Sequence, residues 1–144
     1  MPTGEIVVLD THVWLEVAVG RTSGIAKRVQ RKLEAAAAAS HVYVAAITPW
    51  EVAMLARKGK LRVTGSLREF VEEALRATRT AVAPLEAAVA VDAAELPAWD
   101  HRDPADRLIV ATARAMNALL LTRDGAILDY ARAAKAVRAL DPRP

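Results

Sequence analysis

Asp10, Glu51, Asp106 and Asp124, with Asp103 just before the third, are the side chains of this chain best suited to chemistry. Carboxylates brought close together repel one another and raise their pKa values unless a cation neutralises them. A hard divalent ion such as Mg²⁺ or Mn²⁺ takes oxygen ligands and keeps several of its waters. An ion held in this way lowers the pKa of a bound water and offsets charge on a phosphoryl transition state. Other routes lack their parts. The chain has no cysteine, which excludes disulfides, thiol nucleophiles and thiolate metal sites. It has no Gly-x-Ser-x-Gly elbow, no P-loop and no GxGxxG. His12, His41 and His101 are too scattered for a zinc pattern of the HExxH type.

Acids so far apart in sequence can meet only if the fold gathers them. EIVVLD reads as a short buried strand that ends on Asp10, and THVWLEVAVG follows with Val13, Trp14 and Val17 on one helical face. IAKRVQRKLEAAAAAS is helical, with Ile25, Val29 and Leu33 on one side. VYVAAIT is β-branched and aromatic, so it reads as a second strand. Thr48 is then expected to cap a helix with Pro49 first and Glu51 at the capping-box position, and Gly59 to end it. LRVTGS is a connector with room for a short extended piece. SLREFVEEALRAT opens at Ser66 as an amphipathic helix, TAVAPL is a weak strand, and EAAVAVDAAEL is a helix stopped by Pro97. The polar loop PAWDHRDPAD leads into a helix near Pro104; ALLLT is a short apolar strand, RDGAILDYARAAK a turn and helix, and AVRAL a last strand.

The resulting order, β-α-α-β-α-α-β-α-α-β-α-β, implies a parallel sheet with helices on both faces, in one α/β domain spanning 1–144. Ligands in such a sheet bind outside the carboxyl ends of the strands. Asp10 ends the first strand, Asp124 lies just past ALLLT, Glu51 sits in the first turn after the second strand, and Asp103 and Asp106 flank a helix start. Taken singly, each acid also suits a structural role: Asp10 and Asp103 as N-caps, Glu51 as a capping glutamate, Asp106 beside a helix dipole, Asp124 in a turn before Gly125. Their joint placement carries the argument.

Bulk properties limit the alternatives. At 144 residues, 53% of them apolar and only 4% aromatic, the chain can bury one aliphatic core. A net charge of +3 and a pI near 9.6 are compatible with a polyanionic partner without requiring one. The opening MPTGEIVVLD lacks the basic region of a signal peptide, and no run approaches the ~20 apolar residues of a membrane span. The expectation is a cytoplasmic protein.

VVLDTHVWLE, TPWEVAMLARKGKL and HRDPADRLIVATARAMNALLLTRD, in that order over nearly the whole chain, resemble PIN domains, and more closely the VapC ribonuclease toxins of toxin–antitoxin pairs. The resemblance implies a three-layer α/β/α sandwich around a central parallel sheet of four to five strands. It implies an endoribonuclease in which Mg²⁺ or Mn²⁺ activates a water that cleaves RNA. By motif the four acids fall on Asp10, Glu51, Asp106 and Asp124, with the metal on Asp10, Asp106 and Asp124. Asp103 stands as an accessory acid or an alternative third acid. Thr11 and Thr122 match hydroxyl positions beside the acids, where orienting a ligand and capping backbone are both open. The resemblance also implies a homodimer and a VapB-like antitoxin whose tail lies in a groove.

An acidic pocket repels RNA, so cations must bring its backbone in. Arg102, Arg107 and Arg123 are the candidates nearest the acids, and Arg57, Lys58 and Lys60 form a second cluster that equally suits a helix C-terminus. Trp14, Trp50, Val52 and Leu55 suit either an interface or the core. Two other functions compete. A haloacid-dehalogenase-type phosphatase needs an acid two residues after the first, where this chain has His12. A receiver-like binding module has an acidic pair near the first strand and an acceptor Asp after the third, where this chain has Asp10 alone and lacks the second feature, and a PIN-like scaffold is expected to have lost acids that are all present here.

Overall fold

The computed structural model describes residues 4–144. Five strands, β1 (Val7–Leu9), β2 (Val42–Ala45), β3 (Ala81–Ala83), β4 (Leu119–Leu121) and β5 (Arg138–Leu140), form one sheet in the order β3-β2-β1-β4-β5. Every pairing is parallel. Parallel neighbours require crossovers, and helices supply them: α1 (Thr11–Ala18), α2 (Lys27–Ala38), α3 (Ile47–Arg57), α4 (Leu67–Ala77), α5 (Ala87–Ala94), α6 (Pro104–Ala115) and α7 (Gly125–Ala134). This is the α/β arrangement expected from the alternation of the sequence.

The pleat sorts the core into two layers. Val7, Leu9, Val42, Val44, Leu119 and Leu121 face one cluster with Trp14, Val29 and Val52, from α1, α2 and α3. Val8, Ala45 and Leu120 face the other, with Ile109 and Val110 of α6 and Ile127 and Tyr130 of α7. Both sides of the sheet are dry, which explains why VVL and LLL are continuous apolar runs instead of alternating ones. Trp14 and Val52 belong to this core, each fully buried, whereas Trp50 is 57% exposed.

The chain leaves β1 toward β2 and β3 on one side, and β4 leads to β5 on the other. The order therefore reverses between β1 and β4, and a crevice opens beyond their carboxyl ends. The first residue past β1 extends the pairing, since Asp10 N donates to Leu121 O at 3.0 Å.

Several local expectations give way to packing. β1 is shorter than EIVVLD, and α2 starts at Lys27, leaving Ile25 buried ahead of it. LRVTGS forms no strand. Thr48 is not a cap: Ala46 is already helical (φ −58°, ψ −25°), α3 begins at Ile47, and no side chain caps it. Pro49 still falls in the first turn, where its missing N–H forfeits no helical hydrogen bond. Elsewhere local chemistry prevails. Ser66 caps α4 through Glu69 N at 3.0 Å. Gly59 adopts φ +73°, and Lys60 N turns back to Leu55 O at 2.9 Å to end α3.

Candidate active site

Asp10 sits at the crevice, 7% exposed, and both its oxygens are held. Oδ1 accepts from Thr11 N at 2.8 Å as the cap of α1, and Oδ2 accepts from Thr122 Oγ1 at 2.6 Å. Burial pushes its pKa up, the Thr122 hydrogen bond opposes this, and nearby Asp124 adds to the rise. Thr122, fully buried, also accepts from Asp124 N at 3.0 Å. One hydroxyl thus ties the loop after β4 to the acid after β1. Asp124 caps α7 through Ile127 N at 3.0 Å.

Thr11 works in the same way on the other flank. Its hydroxyl donates to Glu51 Oε1 at 2.6 Å and lies 3.0 Å from the Thr48 hydroxyl. Thr48, freed from capping, thus lies inside the site. Burial raises the Glu51 pKa, the Thr11 hydrogen bond lowers it, and the charges of Asp10 and Asp103 raise it further. The hydroxyls of both predicted threonines therefore bond carboxylates.

Asp103 and Asp106 divide clearly. Asp103 is exposed and caps α6, Oδ1 accepting from Asp106 N at 3.1 Å. Asp106 is half-buried, and its Oδ2 meets His101 Nε2 at 2.8 Å. Burial pushes Asp106 up to about 6, against the His101 hydrogen bond and with help from Asp103, Asp124 and Asp10. His101 lacks the spacing of a metal motif, so residue types alone do not single it out. Its signal is its place in the loop just ahead of the α6 acids.

The loop that carries His101 is clamped. Trp99 stacks on His101 (centroids 4.8 Å apart) and on Tyr130 (4.4 Å). The Tyr130 hydroxyl donates to Pro97 O at 2.7 Å. Arg107 lies over the Trp99 ring and donates to the carbonyls of Ala93, Ala94, Trp99 and His101. This departs from the expectation that Arg107 reaches a polyanion. Arg123 likewise pairs with Glu16 and donates to Gly24 O. Of the three candidates only Arg102 is exposed.

The leading charge effects on Asp10, Glu51 and Asp106 come from one another, from Asp103 and Asp124, and from His12, while His101 acts on Asp106 through a hydrogen bond. Hard oxygen donors that repel one another, with histidines as their basic neighbours, fit a divalent cation. Among the described residues no three His, Asp or Glu side chains are close enough to grip one ion alone. That spacing suits Mg²⁺, which is usually held by one or two carboxylates and keeps several waters. A cleft of about 390 Å³ opens between Thr11 and His12 of α1, Asp103 and Pro104 at the start of α6, and the face of α3 that carries Trp50, Glu51 and Met54.

The family model described as PIN domain matches residues 7–133. Comparison with curated proteins gives no match. Among solved structures the chain is similar to VapBC2 from Rickettsia felis bound to a DNA fragment from their promoter, at 17% identity over 94% of this chain and 97% of that one, with a TM-score of 0.66. It is similar to FitAB bound to an IR36 DNA fragment, at 23% identity over 95% of each chain and a TM-score of 0.60. FitAcB from Neisseria gonorrhoeae is similar at 24% identity over 95% of this chain and 98% of that one, with a TM-score of 0.58. At these identities the likeness is one of fold.

Proposed function

The chain belongs to the PIN-domain family, and on that premise we propose that it is a metal-dependent endoribonuclease, the toxin of a VapBC-type pair. The observation that carries this reading is that Asp10, Glu51, Asp106 and Asp124 lie near enough to the β1–β4 crevice for their charges to act on one another, with hydroxyls of Thr11 and Thr122 bonded to two of them.

Bound Mg²⁺ or Mn²⁺ supplies an activated water and offsets charge on the phosphoryl oxygens. Asp10, Asp106 and Asp124 would hold the ion between them, directly or through its retained waters. Thr122 fixes the Asp10 carboxylate, and His101 fixes that of Asp106, so that each presents a set orientation. Asp103, exposed at the start of α6, is the accessory acid. Glu51, oriented through Oε1 by Thr11, takes the proton of the attacking water or aligns it. Water adds to phosphorus, the P–O3′ bond breaks, the leaving O3′ takes a proton from solvent water, and the products are a 5′-phosphate and a 3′-hydroxyl.

The neighbours in fold include a VapBC2 complex and a FitAB complex, each bound to DNA. They support a VapB-like antitoxin as partner. A homodimer and a cytoplasmic location complete the proposal; among the described residues no helix is long and apolar enough to cross a membrane. The test is cleavage of single-stranded RNA with Mn²⁺ and with EDTA, followed by mapping of the new ends. Cleavage in Mn²⁺ alone, giving 5′-phosphates, is expected. EDTA-resistant cleavage or 2′,3′-cyclic phosphate ends would overturn the mechanism.

A further inference from the structure

Among the described residues Val19, Trp50, Val82, Leu85 and Val91 are exposed large apolar side chains, and Trp50 is the aromatic one. Trp14 is buried in the core, and Trp99 is stacked between loop and helix, yet Trp50 is 57% exposed. Its position is specific. Trp50, Met54 and Lys58 follow one another at helical spacing along one face of α3, so they form a single row. That row lines the 390 Å³ cleft, with Lys60 at its far end and Thr11 and Glu51 at its near end. The cleft therefore joins two cations, an exposed indole and the two acids Glu51 and Asp103, at the edge of the acid cluster.

Resting on the ribonuclease reading, we infer that Trp50 is a stacking platform for an unpaired base beside the cleaved phosphodiester, and that Lys58 and Lys60 take the backbone phosphates of the same strand. The charge order argues for a polyanion as occupant: the acids repel phosphate, so the chain must be gripped where the lysines stand, one cleft-length away. An aromatic face accepts any base, but only one that has left a duplex stack. Trp50 thus selects for single-stranded RNA and not for a particular nucleotide. Stacking of one base on an aromatic side chain corresponds to about 5- to 150-fold in affinity.

The experiment measures binding of a fluorescein-labelled single-stranded RNA of mixed sequence, and of the same RNA annealed to its complement, in EDTA. The single strand is expected to bind more tightly than the duplex and to quench tryptophan fluorescence. Trp50→Ala should weaken binding about 5- to 150-fold and remove the quenching, while Trp50→Phe retains most of the affinity. Lys58→Ala should lower the salt dependence of binding by about 0.7 in log–log slope. Because Trp50 is exposed, far-UV CD of its variants should match the parent. Equal affinity of Trp50→Ala and parent, or of single strand and duplex, would overturn the inference. Quenching by an arginine-rich peptide but not by RNA would assign the cleft to a polypeptide and overturn it too. A chain that binds single strands through Trp50 but cleaves none removes the nuclease reading alone. Cleavage with an unchanged KM in Trp50→Ala removes this inference alone.

Discussion

The two ends of the sheet treat the same functional group in opposite ways. At the amino ends of the strands, Glu5 accepts from Arg138 and Lys32, and those contacts hold its carboxyl below the usual range. Arg114, in the same region, is shared between Asp92 and the carbonyl of Ala136. At the carboxyl ends, Asp10, Glu51 and Asp106 are raised, burial being the first cause in each, and their partners are threonine hydroxyls and a histidine. One end pairs its charges within the chain. The other concentrates negative charge and leaves its neutralisation to something from outside.

The largest effect should come from removing an acid at the carboxyl end. Asp10→Asn keeps the size of the side chain and is expected to reduce RNA cleavage to background while CD and melting remain those of a folded protein. Activity at the parental level would mean that the crevice is not the site. Next come the hydroxyls. Thr122→Val keeps the shape and deletes the donor to Asp10, and should weaken Mn²⁺ binding about 10- to 100-fold, measured by calorimetry.

Arg107→Ala probes the boundary between the two kinds of region, because a cation beside the acids serves the fold instead of a substrate. Loss of its contacts to four carbonyls should cost about 2–3 kcal/mol in urea unfolding. A stability equal to the parent, with weaker RNA binding, would return Arg107 to the substrate. The smallest effect is in the pH dependence. Asp106, with its pKa raised to about 6, binds a proton in the folded chain that the unfolded chain releases near 4, so its contribution to stability falls as pH rises from about 4 to about 6. Asp106→Asn should therefore stabilise the metal-free protein at pH 7, by on the order of 1 kcal/mol after solvent screening. Glu5 has the opposite sign: its depressed pKa stabilises above its unfolded value, and that contribution is lost as pH falls, so Glu5→Gln should slightly destabilise at pH 7. Urea titrations across this range separate the two.

Much of this division could be read from residue order. An apolar run closed by an acid, as at Asp10 and just before Asp124, locates a buried strand and its carboxyl end together, because both come from one local pattern. The caps at Ser66, Asp103 and Asp124 are equally local. What escaped is long-range. α3 starts at Ile47, ahead of Thr48, whose hydroxyl meets that of Thr11 across 37 positions instead of capping the helix. Whether an arginine is free depends on which carbonyls or acids fold next to it: Glu16 is 107 residues from Arg123. His101 became visible only once the aromatic stack fixed its loop over Asp106.

The central claim is that the acids at the β1–β4 crevice form a cation site. Calorimetric titration of Mn²⁺ into the parent and into Asp10→Asn tests it most directly, with the melting temperature followed in parallel. The parent should bind Mn²⁺ and melt higher in its presence, by linkage of binding to folding, and Asp10→Asn should lose both by more than about tenfold in affinity. Equal binding by the two proteins, or no binding by either, would contradict the account.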